Sequence, residues 1–153
     1  MSVTVKQMNR FLIFKLPSAF LCGVKLKALE NEKSVVQVKY RWINQNPFNS
    51  MYFAVQSMAA ELTTGALVIK KIKESGKQIS MLVTNHHGTF TKKAVGKITF
   101  TCTDGHLLDE ALKRTIETGE GQTILMKSVG INENGEQVSA YEFEWSVKLK
   151  SKK

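Results

Sequence analysis

The chain has 153 residues, 42% hydrophobic and 23% charged with two prolines, which suits one globular domain with its own core and excludes a disordered or low-complexity chain. Its formal charge of +9 favours an anionic partner, whether nucleic acid, an anionic membrane surface or a phosphorylated small molecule, and the sign does not choose among them. Several cations crowd the C-terminal end (Lys148, Lys150, Lys152 and Lys153), where residues 150–153 read as a frayed basic tail. No element combines clustered basic and aromatic residues, so no nucleic-acid role is expected.

Cys22 and Cys102 stand far apart with no CxxC pair, so neither a disulfide framework nor a zinc site is indicated, and both are expected as buried thiols. The apolar residues Phe11 and Phe14 are flanked by Lys6, Arg10 and Lys15, and no cleavage site follows, so no signal peptide is read. Nothing reaches the roughly 18 uninterrupted apolar residues of a membrane-spanning helix. The expected location is a reducing cytoplasm.

In chain order, residues 6–16 place Met8, Phe11, Leu12 and Leu16 at helical spacing, and Pro17 opens a second short helical stretch; a helical flank over about residues 6–30 is expected. From 34 to 43 the period becomes two. Val36, Val38, Tyr40 and Trp42 share one side and Gln37, Lys39 and Arg41 the other, as in a half-buried strand. The turn-rich residues 44–50 end in Asn49 and Ser50, candidates to cap a helix over residues 51–74. The apolar side chains of that helix (Met51, Tyr52, Phe53, Val55, Met58, Leu62, Leu67, Val68, Ile69 and Ile72) fall on nearly every face, so it must be covered almost all round. Lys70, Lys71 and Lys73 come only near its end, where positive charge suits the helix dipole.

Strands are predicted at residues 78–85, 93–103, 122–130 and 137–149, a succession that implies an antiparallel meander, with a short helix over 107–118. In the last strand Tyr141, Phe143, Trp145, Val147 and Leu149 alternate with Glu142, Glu144, Ser146 and Lys148, and Asn134 with Gly135 marks the hairpin before it. Gly76, Gly88 and Gly96 are read as turns or bends. The predicted architecture is α+β: an antiparallel sheet wrapped around one long central helix, with an N-terminal helical segment, in a single domain.

Glu61 stands alone in that apolar helix, and an ionised carboxylate is costly to bury unless it is paired or functional. Its neighbours along the helix face are Ser57, Met58, Thr64 and Gly65, with Ser50 and Ala54 further back, a stripe mostly small and partly hydroxylic. Two readings stay open: a structural acid that pairs with a lysine or simply reaches solvent at a sheet edge, or a general base or nucleophile facing a slot for substrate. At the start of the helix, the free N–H groups of residues 51–53 can stabilise a developing oxyanion. Phe53 and Glu61 are eight residues apart, roughly 12 Å along one helix, so they cannot serve one carbonyl within a single chain. Two copies with their long helices antiparallel would bring the start of one beside the middle of the other. His86 and His87, adjacent on a strand, face opposite sides and cannot chelate one ion together, so no metal site is expected.

The run Asn46, Pro47, Phe48, Asn49, Ser50, Met51, Tyr52, Phe53, Ala54, the pair Ala60 and Glu61, and the run Phe90, Thr91, Lys92, Lys93, Ala94, Val95, Gly96 resemble the hotdog-fold acyl-CoA thioesterase superfamily, nearest its phenylacetyl-CoA-thioesterase-like branch. The resemblance covers roughly residues 21–147. In that group an Asn-x-x-Gly-x-x-His-Gly-Gly pattern opens the helix and an acid follows nine positions after the histidine, as Glu61 follows Tyr52. The resemblance implies that Glu61 activates water or attacks the thioester, that the Phe53 backbone N–H polarises its carbonyl, and that Asn46 helps place it. It also implies that Ser57, Thr64, Tyr52 and Asn49 line the substrate, while Thr91, Lys92 and Lys93 meet the coenzyme A arm, coenzyme A entering as part of the substrate and no other cofactor being needed. Asn49, Tyr52, Phe53 and Ala54 depart from the pattern, replacing its glycine and its His-Gly-Gly. The expected function is therefore an acyl-CoA hydrolase acting as a homodimer or dimer of dimers, with a non-catalytic module that binds acyl-CoA or acyl chains as the rival. A DNA-coupled sensor is disfavoured because no helix-turn-helix region is left over.

Overall fold

In the computed structural model, which describes residues 2–151, the chain begins with α1 (Val5–Lys15) and α2 (Pro17–Leu21). Thr4 caps α1 through a reciprocal pair, its Oγ1 accepting from the Gln7 N–H at 3.2 Å while the Gln7 side chain accepts from the Thr4 N–H at 3.0 Å. Pro17 sits in the first turn of α2, where its missing N–H costs nothing. Part of the expected helical flank is instead a strand, β1 (Lys25–Leu29), because Asn9 on α1 clips its side-chain amide onto both backbone groups of Leu26 at 2.9 Å. Those bonds satisfy the outer edge of a strand whose own pattern is too short to announce itself.

β2 (Ser34–Lys39) buries Val36 and Val38 as the alternation predicts, but it stops before Trp42, which is 82% exposed. The cause is Asn44, at the end of a one-turn 3₁₀ helix (Trp42–Asn44). Its side chain donates to the carbonyls of Cys22 and Lys39 at 2.9 Å and accepts from the Arg41 N–H at 2.8 Å, which folds the chain away from the sheet. The long helix α3 (Phe53–Ser75) follows, and the remaining elements are β3 (Ile79–Phe90), β4 (Lys97–Cys102), α4 (Gly105–Thr118), β5 (Gln122–Ile131) and β6 (Gln137–Leu149).

All pairings in the sheet are antiparallel and the strand order is β1-β2-β4-β5-β6-β3. The predicted meander therefore holds for β4, β5 and β6, whereas β3 lies at the far edge, paired along its length with β6. Two strand limits also move. β3 runs on through Gly88, read from the sequence as a turn; this glycine is needed because a Cβ there would stand 2.8 Å from the Tyr141 ring on β6. β4 starts only at Lys97, because residues 91–96 leave the ladder: Thr91 donates to the Val138 carbonyl and Ala94 accepts from the Met51 N–H at 2.8 Å. That irregular segment lies against the entry to α3.

α3 rests on the sheet and on α4, with every residue from Leu62 to Val68 buried, as the apolar pattern requires. Along one face Ala54, Ser57, Met58 and Glu61 are only half-buried, so the cover is incomplete there. At the far end Lys70 is buried rather than solvated, its ammonium donating to Asn31 at 2.9 Å and pairing with Glu74 at 2.7 Å. Cys102 is buried and Cys22 half-buried, both as free thiols. Lys152 and Lys153 of the expected basic tail lie outside the described residues. None of the described helices is long and apolar enough to cross a membrane.

Because the buried Asn44 side chain satisfies three backbone groups at once, Asn44→Ala is expected to lower stability by on the order of 1–3 kcal/mol, read as a shift in the urea unfolding midpoint.

Candidate functional site

Residues 45–51 form a closed loop before α3. Gln45 and Met51 bridge, the Asn46 N–H donates to the Ser50 carbonyl at 2.8 Å, and Asn49 takes a left-handed backbone with φ 56°. The Asn46 side chain holds this loop from inside: its Oδ1 accepts from the Phe48 and Ser50 N–H groups at 2.9 and 3.2 Å, and its amide donates to Ser50 Oγ at 3.0 Å and the Met51 carbonyl at 3.3 Å. Asn46 thus acts on anything nearby through the loop it shapes. The expected caps, Asn49 and Ser50, are spent in the loop, and Tyr52 takes the capping position without a side-chain bond.

This changes which N–H groups are free. The Met51 N–H is taken by Ala94 and the Tyr52 N–H by the Asn44 carbonyl at 2.9 Å, while those of Phe53 and Ala54 meet no acceptor among the described residues. They open beside a cleft of about 630 Å³ whose lining includes Asn46, Tyr52, Phe53, Thr91, Lys92 and Lys93. Six sequence-predicted residues are therefore brought together at the start of α3. Within that cleft Lys92 pairs with Glu136 and Lys93 donates to the Phe48 carbonyl at 3.2 Å. Tyr52, Phe53 and Phe90 stand edge to face over the helix start, with ring centroids 4.9 and 6.4 Å apart.

Asn49 is exposed and outside that lining, and the hydroxyls of Ser57 and Thr64 turn to protein groups. Ser57 Oγ stands 3.0 Å from the Phe53 carbonyl oxygen and 3.2 Å from the Tyr141 hydroxyl, while Thr64 donates to the Glu61 carbonyl at 2.9 Å and accepts from the Trp145 indole N–H at 2.9 Å. One lining residue escaped the sequence reading: Gln56 is 4% exposed, and among the described residues its Oε1 has no hydrogen-bond partner. A lone amide on an apolar helix, five positions before Glu61, is the signal that was available.

Glu61 lies elsewhere. It opens, with Met58, onto a separate hollow of about 230 Å³ closed by Leu12, Lys15, Leu16 and Pro17 from the α1–α2 corner. Its carboxylate makes no ion pair among the described residues, not even with Lys15 in the same lining, so the pairing alternative is not realised. Burial pushes its carboxyl up from the ordinary 4.5 to about 7, with desolvation the only cause. Gly65 and Trp145 shape the slot: a Cβ on Gly65 would stand 3.2 Å both from Glu61 Oε1 and from the indole, so only glycine gives the carboxylate this space without displacing a neighbour. The two clefts share no lining residue, in keeping with the helical distance between Phe53 and Glu61.

His86 stacks on Phe143 with centroids 5.9 Å apart, and among the described residues no three His, Cys, Asp or Glu side chains gather as metal ligands. Burial pushes the Cys102 thiol up to about 12, far from a reactive thiolate.

The family model described as a domain of unknown function, DUF4442, matches residues 4–147. This chain belongs to that family. No curated protein matches it. Among solved structures, a protein of unknown function from Pseudomonas aeruginosa, called a probable thioesterase, superposes with a TM-score of 0.83 at 19% identity over 98% of this chain and 99% of that one. A protein of unknown function from Chlorobaculum tepidum gives a TM-score of 0.83 at 15% identity, over 97% and 99% of the two chains. A thioesterase from Haemophilus influenzae gives 0.75 at 13%, over 97% and 93%. The DUF4442 chain thus has the hotdog fold of the thioesterase structures, as the resemblance in its sequence implies.

The raised pKa of Glu61 fixes the sign of a pH effect. The folded state holds this proton more tightly than the unfolded chain, so the contribution of Glu61 to stability is complete below pH 4.5 and is lost as pH rises to about 7. Allowing for partial solvent contact, wild type should lose on the order of 1–3 kcal/mol across that window relative to Glu61→Gln, measured by urea unfolding of both at the two ends.

Proposed function

We propose that this chain is an acyl-thioester hydrolase acting on acyl-CoA as a homodimer, alone or within a dimer of dimers. Glu61 of one copy and the start of α3 of the other flank each thioester. The observation that carries this reading is Glu61 itself, a desolvated, unpaired carboxyl beside a hollow on the central helix of the fold. A purely structural acid gains nothing from such a position, whereas a general base gains an acidity near working pH. The structures called thioesterases from Pseudomonas aeruginosa and Haemophilus influenzae add support at the level of fold.

In this reading the ionised Glu61 takes a proton from water while the water oxygen bonds to the thioester carbon. The carbonyl oxygen gathers negative charge beside the Phe53 and Ala54 N–H groups of the partner helix. Collapse of that intermediate breaks the carbon–sulfur bond, and the thiolate of coenzyme A leaves with the proton held by Glu61. Direct attack by the carboxylate, followed by hydrolysis of the anhydride, uses the same groups. Asn46 holds the loop that aims the N–H groups, and Thr91, Lys92 and Lys93 flank the coenzyme A arm. A non-catalytic acyl-CoA-binding module is the second reading, favoured by the aromatic cover of Tyr52, Phe53 and Phe90 over the helix start.

Over a panel of acyl-CoA esters, kcat/KM of the wild type should rise with pH to a plateau above about 7, and Glu61→Gln should lower it by about 10²-fold or more. Full activity in Glu61→Gln removes Glu61 from the chemistry, and acyl-CoA binding without hydrolysis by wild type selects the second reading.

Shared sites are tested by complementation. Phe53→Pro deletes one N–H at the first helical position, where proline is tolerated, and Tyr52 before it is already extended, with φ −61° and ψ 135°. Phe53→Pro and Glu61→Gln should each be inactive alone. Unfolded and refolded together, they should regain about a quarter of wild-type activity, since half the dimers are mixed and each carries one intact site. No recovery, or a monomer in sedimentation, rejects the shared site.

A further inference from the structure

Distinct from the cleft at the start of α3, and sharing only Leu12 with the hollow beside Glu61, a third cleft of about 710 Å³ is lined by α1, α2, the turn after it, β1 and Arg41. Its volume is in the usual range for a small-molecule site. One stripe of α1 supplies Lys6, Arg10 and Ile13, at spacings of four and three residues, and Lys25 and Arg41 close the opposite rim. Leu12 and Val24 are buried beneath, while Ile13, Phe20 and Leu21 stand open in its walls, Leu21 being 60% exposed.

Three features mark this as more than an incidental dip. First, the wall is fixed in place, because Asn9 in the lining spends its side-chain amide on Leu26, clamping α1 to β1. Second, the Arg41 guanidinium lies against Gly23 in the same lining, which sets a cation at the rim. Third, the charge is one-sided. No acid lines the cleft, and none of Lys6, Arg10, Lys25 and Arg41 belongs to an ion pair among the described residues.

We infer that this cleft binds a single-chain anionic amphiphile, a fatty carboxylate, with its head among the four cations and its chain along Leu12, Ile13, Phe20 and Leu21. The cations call for an anionic head and the open apolar walls for a chain; neither alone accounts for both. The concave shape favours one molecule lodged in the cleft over a flat bilayer. The inference does not depend on Glu61 or on hydrolysis.

Isothermal titration of the full chain with sodium dodecanoate, below its micelle concentration and at low salt, should give saturable one-to-one binding. Binding should weaken by about tenfold or more in Arg10→Gln/Arg41→Gln and in Lys6→Gln/Lys25→Gln, and on raising salt to about 0.5 M. Uncharged dodecanol should bind at least about tenfold more weakly than dodecanoate, and inorganic phosphate not saturably, since head and chain are both required. Glu61→Gln should bind dodecanoate within about twofold of wild type, which separates this cleft from the proposed catalytic one. All four exchanged cations are exposed, so the variants should keep the wild-type unfolding midpoint. The inference is overturned by no saturable binding, by equal binding of dodecanol, or by undiminished binding in both double variants. Co-sedimentation with phosphatidylglycerol vesicles without uptake of monomeric dodecanoate likewise overturns it, in favour of a bilayer.

Discussion

The structure is organised around the desolvation of one helix. From Leu62 to Val68 no side chain of α3 reaches solvent, so residues on every face need cover, and the sheet supplies most of it with α4 closing one flank. That demand explains why Thr63 and Ser128 hydrogen-bond to one another at 2.8 Å inside the core, and why Trp145 turns its indole N–H to Thr64: buried polar groups along α3 must find partners within the protein. Gln56 Oε1 and the Glu61 carboxylate are the exceptions among the described residues. The latter is left without a partner at the stripe where the cover runs out, and its altered acidity follows from that placement rather than from a neighbouring charge.

The same helix separates two chemical environments that a hydrolytic site would need together. Its start offers two unclaimed N–H groups next to lysines and aromatic rings; its middle offers the acid. The rigidity that keeps α3 buried also prevents one end from bending toward the other, so any joint use of these groups requires a second helix. The loop at residues 45–51 and the 3₁₀ turn before it, held by Asn46 and Asn44, fix where the free N–H groups point.

The N-terminal segment has an effect larger than its size. α1 and α2 close the hollow beside Glu61 on one side and form the basic, apolar cleft on the other, with Leu12 in the lining of both. By capping the outer edge of β1 through Asn9, α1 also keeps that strand from offering unpaired backbone to another chain.

The sequence by itself determined the α+β class, the buried helix, the final strand and the oddity of Glu61, because each rests on local periodicity or on one charge in an apolar run, and both survive without knowledge of the partners. The joining of Asn46, Tyr52 and Phe53 with Thr91, Lys92 and Lys93 was also legible, through the resemblance rather than through spacing. Only the tertiary structure decided that β3 pairs with β6 at the sheet edge, which is a backbone ladder between distant segments, and that β1 exists and Trp42 leaves its strand, which rest on side-chain bonds from Asn9 and Asn44. It alone decided that the free N–H groups are those of Phe53 and Ala54, and that Gln56 belongs to the cleft at the start of α3. Periodicity specifies which side of an element is apolar; which polar groups remain unsatisfied is a property of everything packed around it.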